Sequence, residues 1–452
     1  MICWSTSAVC RPRVSPEMQI ERVGAEQVAR LGGPAGVASH LRALVPGGDS
    51  VEGAVREILD RVRTEGEDAV RDYTRRFDTA GNDPKPLLVT AEELDDAIRL
   101  LPLELVAGLQ VAIANVALLA QAGVSEDVPV DLPQGQRITL REVPVASAAV
   151  YVPGGRAPYP STVVMGVVTA RAAGVLDVSV CSPPGADGQI DPVILGVCRL
   201  CGVERVYRMG GAQAIAALAY GTESVERVDV VVGPGNLYVQ EAKRLLSATV
   251  GIDGFAGPSD LLVLLGAQAG PDELRLVALD MLAQGEHGEG SLVVAVSPQG
   301  RVSGELAAVL EDLVVDRPTV GDAAFALVEV SDAREAVALA NAFAPEHLQL
   351  IGEEMEALAP VVTAAGCLFV GPASATAFGD YVAGSNHVLP TGGAARFASM
   401  LSARHFRRRM AEVRIGDAAG KLTAAGAPIA RSEGFEVHAE SMEARVRENP
   451  AQ

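Results

Sequence analysis

The strings Gln284-Gly-Glu-His287, Ala344-Pro-Glu346-His347, Asp380 with His387, and Glu433 with His438 set imidazoles beside carboxylates or a carboxamide in the last third of the chain. With 6 histidines in 452 residues, this clustering is the pattern of a site that moves protons or holds a cation. Gln284 and His287 are about one helical turn apart, so both side chains leave the same face and can grip one ion. Asp380 and His438, in polar, Gly-flanked or terminal stretches, are the remaining hard and borderline donors. An N/O donor set without thiolate suits zinc first, and manganese, iron or nickel after it. Glu346-His347 follows Pro345, which places the pair just beyond a helix ending near Asn341. Adjacent carboxyl and imidazole groups supply bases suited to different proton transfers. Blander readings stand beside these: Gln284 and His287 as a helix cap, and Glu346-His347 as a solvated pair on a loop.

The elements that must position these residues follow an α/β pattern. From Ala149-Val-Tyr-Val152 the chain alternates short β-rich runs with Ala-rich helical runs: a helix over 161–173, Asp177–Cys181, a helix near 194–201, Arg205–Tyr207, a helix over 213–219 and Val228–Val232. A second series has apolar strands at Leu261–Leu265, Leu292–Val296, Phe325–Val330 and Leu368–Val370, with helices over 272–282 and 332–341. The fold class expected is α/β, with two doubly wound, incomplete Rossmann-like parallel-sheet modules and small helical appendages at each end. The expected division is an N-terminal helical segment over 18–47, a first module from 48–150 plus 260–401 carrying metal and catalytic residues, a second module over 151–259, and a helical, charged arm over 402–452. Residues 91–122 read as a long Leu/Ala-rich helical region and 52–76 as an amphipathic helix.

Composition narrows the partners. A formal net charge of -20 repels phosphate backbones and anionic lipid, so nucleic acid and membrane surfaces are poor partners. No uninterrupted apolar run reaches the roughly 20 residues of a membrane span, and the N-terminus lacks a signal-peptide pattern, so a cytoplasmic location is expected. The 6 cysteines do not form a disulfide scaffold for a chain of this length. Cys198-Arg-Leu-Cys201 reads as one helical turn facing a core rather than a metal or redox pair. Met18 reads as a natural start, and residues 1–17 as a disordered extension of little structural consequence.

Gly154-Gly-Arg-Ala-Pro-Tyr-Pro-Ser161, Gly210-Gly-Ala-Gln213 and Gly233-Pro-Gly-Asn236 each end a strand and open a helix, where backbone N–H groups can meet phosphate. No complete GxGxxG or Walker string is present, so glycine alone leaves ordinary βα turns as the plainer account.

Taken in order, Val150-Tyr-Val-Pro-Gly-Gly155, Tyr159-Pro-Ser161, Gly210-Gly-Ala-Gln-Ala-Ile-Ala-Ala-Leu218, Val232-Gly-Pro-Gly-Asn236, Ala256-Gly-Pro-Ser259, Gln284-Gly-Glu-His287, Ala344-Pro-Glu-His-Leu348 and Asn386-His-Val-Leu-Pro-Thr391 resemble the histidinol dehydrogenase family over almost everything after Met18. The resemblance implies oxidation of L-histidinol through L-histidinaldehyde to L-histidine, with NAD+ as oxidant in both steps. It implies Gln284, His287, Asp380 and His438 as zinc ligands, and Glu346 and His347 as bases. Ser259, His387 and Glu433 would complete a substrate pocket that also includes Gln284, His287, His347, Asp380 and His438. Tyr151, Gln213 and Asn236 would hold NAD. A homodimer is implied as well, with the C-terminal arm carrying Glu433 and His438 into the partner's site.

The departures from the family pattern are Gly285 and Gly288, where Ala and an acidic residue are expected, Asp260, where Glu is usual, and Ser385, where Pro or Thr would be ordinary. None removes a donor. Two other readings remain at this stage, a zinc-dependent dehydrogenase of another polar alcohol and a metallohydrolase whose metal activates water. Cys367, within an apolar strand pattern, reads as a buried structural thiol and not the nucleophile of an aldehyde oxidation.

Overall fold

The protein is described by a computed structural model covering residues 19–45, 50–154, 157–254, 257–288, 290–298, 300–320 and 323–446. The expectation for residues 1–17 lies outside these, as do Gly155 and Ala256 of the glycine-bearing strings.

The chain opens with β1 (Ile20–Val23), α1 (Ala25–Arg30) and α2 (Pro34–Arg42). Then come α3 (Glu52–Glu65), α4 (Glu67–Phe77), α5 (Ala91–Leu100) and α6 (Leu103–Ala122). Thr90 starts α5 with a capping box closed by Glu93, worth about 1 kcal/mol of helix stability. By length and composition α6 could cross a membrane. Here it buries a stripe of Leu109, Ala112 and Val116 in a core shared with Val163 and Val167, and leaves Leu103 and Leu118 exposed.

Next come β2 (Val128–Asp131), β3 (Arg137–Pro144), β4 (Ser147–Tyr151), α7 (Pro160–Ala172), β5 (Asp177–Ser182), α8 (Pro192–Leu200), β6 (Arg205–Arg208), α9 (Gly211–Tyr220), β7 (Val230–Val232), α10 (Leu237–Leu246) and β8 (Gly251–Ile252). Strands β4 to β8 form a parallel five-stranded sheet of order β6-β5-β4-β7-β8. Both faces are covered: α5 to α8 pack through Leu94, Val116, Val163 and Ile194, while α3, α4, α9 and α10 pack through Val55, Val70, Ile215 and Val239. Helices α3 to α6 therefore pack on the five-stranded sheet, whereas the expected division grouped residues 48–150 with 260–401.

The second series is β9 (Asp260–Leu265), α11 (Pro271–Gly285), β10 (Leu292–Pro298), α12 (Gly300–Val314), β11 (Ala324–Val330), α13 (Ala333–Phe343), β12 (His347–Ile351), α14 (Glu353–Glu356), β13 (Cys367–Val370) and α15 (Thr376–Tyr381). With β1 these strands build a parallel six-stranded sheet of order β1-β11-β10-β9-β12-β13. Strands β9, β10 and β12 are buried along their whole length, as interior strands of an α-covered parallel sheet must be. The residues after Pro345 thus form a strand, not a loop. Pairing of β12 with β9 on one side and β13 on the other overrides the polarity of Glu346-His347, which lie at the strand's entrance.

The tail departs from the helical expectation as well. It contains β14 (Arg407–Arg414), antiparallel to β3 in a three-stranded sheet of order β14-β3-β2, before α16 (Ala419–Ser432) and α17 (Glu436–Glu443). Met410 and Val413 are exposed along with the arginines around them, so the strand lacks the apolar alternation that would reveal it.

Candidate active site

The six-stranded sheet opens the site at the starts of its strands. Ser259 precedes β9, His287 lies in the turn between α11 and β10, and His347 begins β12. Helix α11 delivers Gln284 in its last turn, and α13 ends at Ala344, held in the left-handed conformation at φ 51 and ψ 67 immediately before Pro345 and Glu346. A cavity of about 420 Å³ is lined by Ser259, His287, Glu346, His347, Asp380 and His387 from this side, with Gln284 buried behind Ser259 and His287. Thr162, Gly233, Lys243 and Asp253 line it from the five-stranded side.

The polar groups are tightly interlinked. Gln284 Nε2 donates to Ser259 Oγ at 2.6 Å and lies 3.2 Å from His287 Nδ1. Ser259 Oγ donates to Glu346 Oε2 at 2.6 Å, and the Asp260 N–H donates to the same oxygen at 3.0 Å. His347 Nε2 lies 3.4 Å from Asp380 Oδ1, and its ring stacks on Phe369. His347 Nδ1 is buried and lacks a hydrogen-bond partner. His387 spends both ring nitrogens on the protein, Nδ1 at 2.9 Å from the Asp380 carbonyl and Nε2 at 3.4 Å from Thr162 Oγ1. It fixes the backbone of Asp380 while lining the cavity.

Charge and burial set the protonation tendencies. Burial pushes the Glu346 carboxyl up to about 7 against the opposing pull of His347. For His347, burial acts downward, yet Glu346, Asp380 and Asp260 together hold its proton more strongly than usual. Asp380 is held below its ordinary value: burial raises it, and the hydrogen bond and charge of His347 more than reverse that. Burial lowers His287 and His387, favouring neutral imidazoles able to bind a cation or a polar ligand.

Sequence reasoning overlooked several members. Asp260, fully buried, carries the hydrogen bonds behind Glu346; a charged residue heading the apolar run Leu261–Leu265 was the available signal. Lys243 is buried and donates from Nζ to the Gly233 carbonyl at 2.5 Å and to Asp253 Oδ1 at 2.7 Å. Nothing in the sequence announces that pair.

Gln284, His287 and Asp380 are brought to one site, whereas Glu433 and His438 are not. Both are exposed on the C-terminal arm, where His438 packs on Phe435 and the two last helices share a small core of Ala427, Ala430 and Ala439. Among the described residues no group of three His, Cys, Asp or Glu side chains is gathered closely enough to hold an ion by itself. Within one chain the candidate donors brought together are one carboxamide, one imidazole and one carboxylate.

A larger cavity of about 930 Å³ sits at the carboxyl ends of the five-stranded sheet and shares Pro153 with the first. Tyr151, Gln213 and Asn236 line it. Tyr151 accepts the Gly211 N–H at 3.2 Å, and Asn236 caps α10 by accepting from Tyr238 and Val239. Gln213 is buried, with both amide atoms unpartnered, a costly state that a ligand would relieve. Backbone approaches closely here: a Cβ at Gly154 would stand 2.7 Å from Pro183.

Two of the departures have physical causes. A Cβ at Gly285 would meet Val320 and Phe325 at 3.0 and 3.1 Å, and Gly288 has φ 87, a conformation side chains disfavour.

The histidinol dehydrogenase family model matches residues 46–446. Histidinol dehydrogenase of Parasynechococcus marenigrum (strain WH8102) is 43% identical over 403 residues, covering 88% of this chain and 91% of the relative. That of Gluconobacter oxydans (strain 621H) is 39% identical over 408 residues, covering 88% and 94%. The crystal structure of histidinol dehydrogenase from Elizabethkingia anophelis superposes with a TM-score of 0.85 at 27% identity, covering 94% of this chain and 98% of that one. On these matches this chain belongs to the histidinol dehydrogenase family of oxidoreductases.

Proposed function

We propose that the chain oxidises L-histidinol through L-histidinaldehyde to L-histidine, the last steps of histidine biosynthesis, with NAD+ as the hydride acceptor in both steps. One observation carries the reading: the buried Glu346-His347 pair, with His287 and Asp380, opens onto a cavity that shares Pro153 in its lining with the larger one lined by Tyr151, Gln213 and Asn236. Proton-transfer groups and a hydride-acceptor cleft thus face a common substrate.

The residues fit both absent groups. Gln284, His287 and Asp380 supply a thiolate-free N/O set suited to zinc, and His438 of the partner subunit would complete it. When bound, such an ion offers a Lewis-acidic anchor for the imidazole and amine of histidinol. NAD+, which accepts the hydride, would lie against Tyr151, Gln213 and Asn236, ending the orphaned state of the Gln213 amide.

In the first oxidation His347 takes the hydroxyl proton from the carbinol as hydride departs. A cation held by the Asp380 carboxylate would remove one of the charges that hold the His347 proton. In the second, Glu346 takes a proton from water adding to the aldehyde, and the resulting diol yields another hydride. Ser259 and the Asp260 N–H orient the Glu346 carboxylate for that transfer. Glu433 of the partner subunit would meet the substrate ammonium. A cytoplasmic homodimer is part of this reading.

Purified protein incubated with NAD+ and histidinol tests it. Formation of two NADH per histidinol supports the proposal; NADH with other alcohols alone, or no hydride chemistry, replaces it with the related dehydrogenase or the hydrolase.

A further inference from the structure

Arg42 closes α2, before the first residue of the region that the family model matches. Its guanidinium reaches across 218 positions of sequence to Asp260, with Nη1 at 2.6 Å from Oδ2. Nη2 donates to the Phe343 carbonyl at 2.9 Å and reaches the Ala344 carbonyl at 3.5 Å. The guanidinium also lies 3.7 Å over the Phe343 ring. Asp260 accepts the Glu346 N–H on its other oxygen at 2.8 Å, while its own N–H donates to Glu346 Oε2 at 3.0 Å. Ala344, the left-handed residue of this turn, is non-glycine and strained. The conformation persists where surrounding contacts over-determine it, and Arg42 grips the carbonyls on both sides of it, those of Phe343 and of Ala344 itself.

We infer that Arg42 is a positioning residue for Glu346, holding it by clamping the strained Phe343–Ala344 turn and by fixing the carboxylate of Asp260. Resting on the role proposed for Glu346, this deepens that reading: the N-terminal segment, remote from the cavity, sets the aim of the base that activates water. A planar fork can serve the carboxylate and the carbonyls together, whereas a lysine ammonium offers one point charge. Asp260 in place of glutamate fits the tether, because both of its oxygens are spoken for behind Glu346 and neither faces the substrate cavity.

The test compares wild type, Arg42→Ala, Arg42→Lys, the charge-neutral double variant Arg42→Met/Asp260→Asn, and Glu346→Gln as reference, all in the full-length chain. Single-turnover hydride transfer from histidinol, steady-state oxidation of supplied histidinaldehyde, and the thermal midpoint are measured for each. Arg42→Ala is expected to lower kcat for the aldehyde about 10- to 100-fold, the scale of a misplaced catalytic group. The first hydride transfer should be less affected, and KM for histidinol should stay within about twofold. Added guanidinium should recover part of the loss, and Arg42→Lys should fall between. The double variant removes both charges but keeps an acceptor for the Glu346 N–H; it should melt near the wild type and still oxidise aldehyde about fivefold more slowly. Aldehyde turnover within about twofold of wild type in Arg42→Ala, or equal slowing of both oxidations, overturns the inference. An unaltered aldehyde step in Glu346→Gln would instead remove the proposed role of Glu346, so the two failures are told apart.

Discussion

The two parallel sheets present opposite edges to the shared cleft. The five-stranded sheet offers carboxyl ends, where β4, β6 and β7 give way to turns that open α7, α9 and α10. The six-stranded sheet offers amino ends, reached as α11 and α13 run out at Gly285 and Phe343. Helix N-termini carry partial positive charge and free N–H groups, and C-termini carry partial negative charge and free carbonyls. One edge is therefore suited to a diphosphate, while the other favours cations, imidazolium and ammonium groups. A cleft built from opposite edges can receive an anionic cofactor and a cationic substrate face to face without mixing their charges.

The comparison is most severely tested at the amino-end edge. His347→Ala and Glu346→Gln should each lower turnover by about 10²- to 10⁴-fold, the span of lost proton transfer, while the dissociation constant for NAD+, measured by fluorescence titration, stays unchanged. If NAD+ binding fell equally, the two edges would not be chemically separate. Next in size, Asp380→Asn should weaken metal retention by more than the roughly 10- to 100-fold that follows loss of a ligand's own hydrogen-bond partner. Metal analysis after dialysis measures this, and zinc retained at wild-type level would remove Asp380 from the ligand set.

The pH profile sharpens the same edge. Glu346 must be ionised to act as base, so aldehyde oxidation should rise with pH, about tenfold per unit below a pKa near 7. The linked effect on stability has the opposite sense. With its folded pKa above the unfolded value, the buried carboxyl contributes stability that is complete below the ordinary carboxylate range and lost as pH rises through about 7. Thermal midpoints of wild type and Glu346→Gln between pH 5 and 8 should converge or cross accordingly; parallel curves would contradict it.

At the carboxyl-end edge, Gln213→Leu should raise KM for NAD+ about five- to tenfold, the scale of one hydrogen bond near 1 kcal/mol, and leave KM for histidinol unaltered. The smallest effect belongs to Cys367→Ala. Burial raises that thiol, so it is a poor nucleophile, and most turnover should survive. Loss of activity in a folded variant would restore a thiohemiacetal route.

Much of this architecture was legible because interior parallel strands are apolar runs: Leu261–Leu265 and Leu292–Val296 announce themselves, as does the β-rich run at Ala149. Strand β12 was missed since its entrance carries Pro345, Glu346 and His347, the residues that function at a sheet edge. Helices over 52–122 read correctly as helices, but periodicity says which face is apolar and not which sheet covers it. At the site, imidazole–carboxylate strings and family resemblance located the cavity-lining residues, while Arg42, Asp260, Lys243 and Asp253 stayed hidden. Their meaning lies in pairings made across the fold, and a buried charge looks like a surface charge until its partner is placed.

The antiparallel pairing of β14 with β3 has a further consequence. Arg407 to Arg414 run in continuous register against Pro144 to Arg137, so the helical hairpin beyond is mounted on a braced stalk. Inserting or deleting one residue there would turn the outgoing strand over and reorient the α16–α17 hairpin that carries Glu433 and His438. The placement of the terminal hairpin is thereby encoded in strand register, a ruler set far from the helices that it aims.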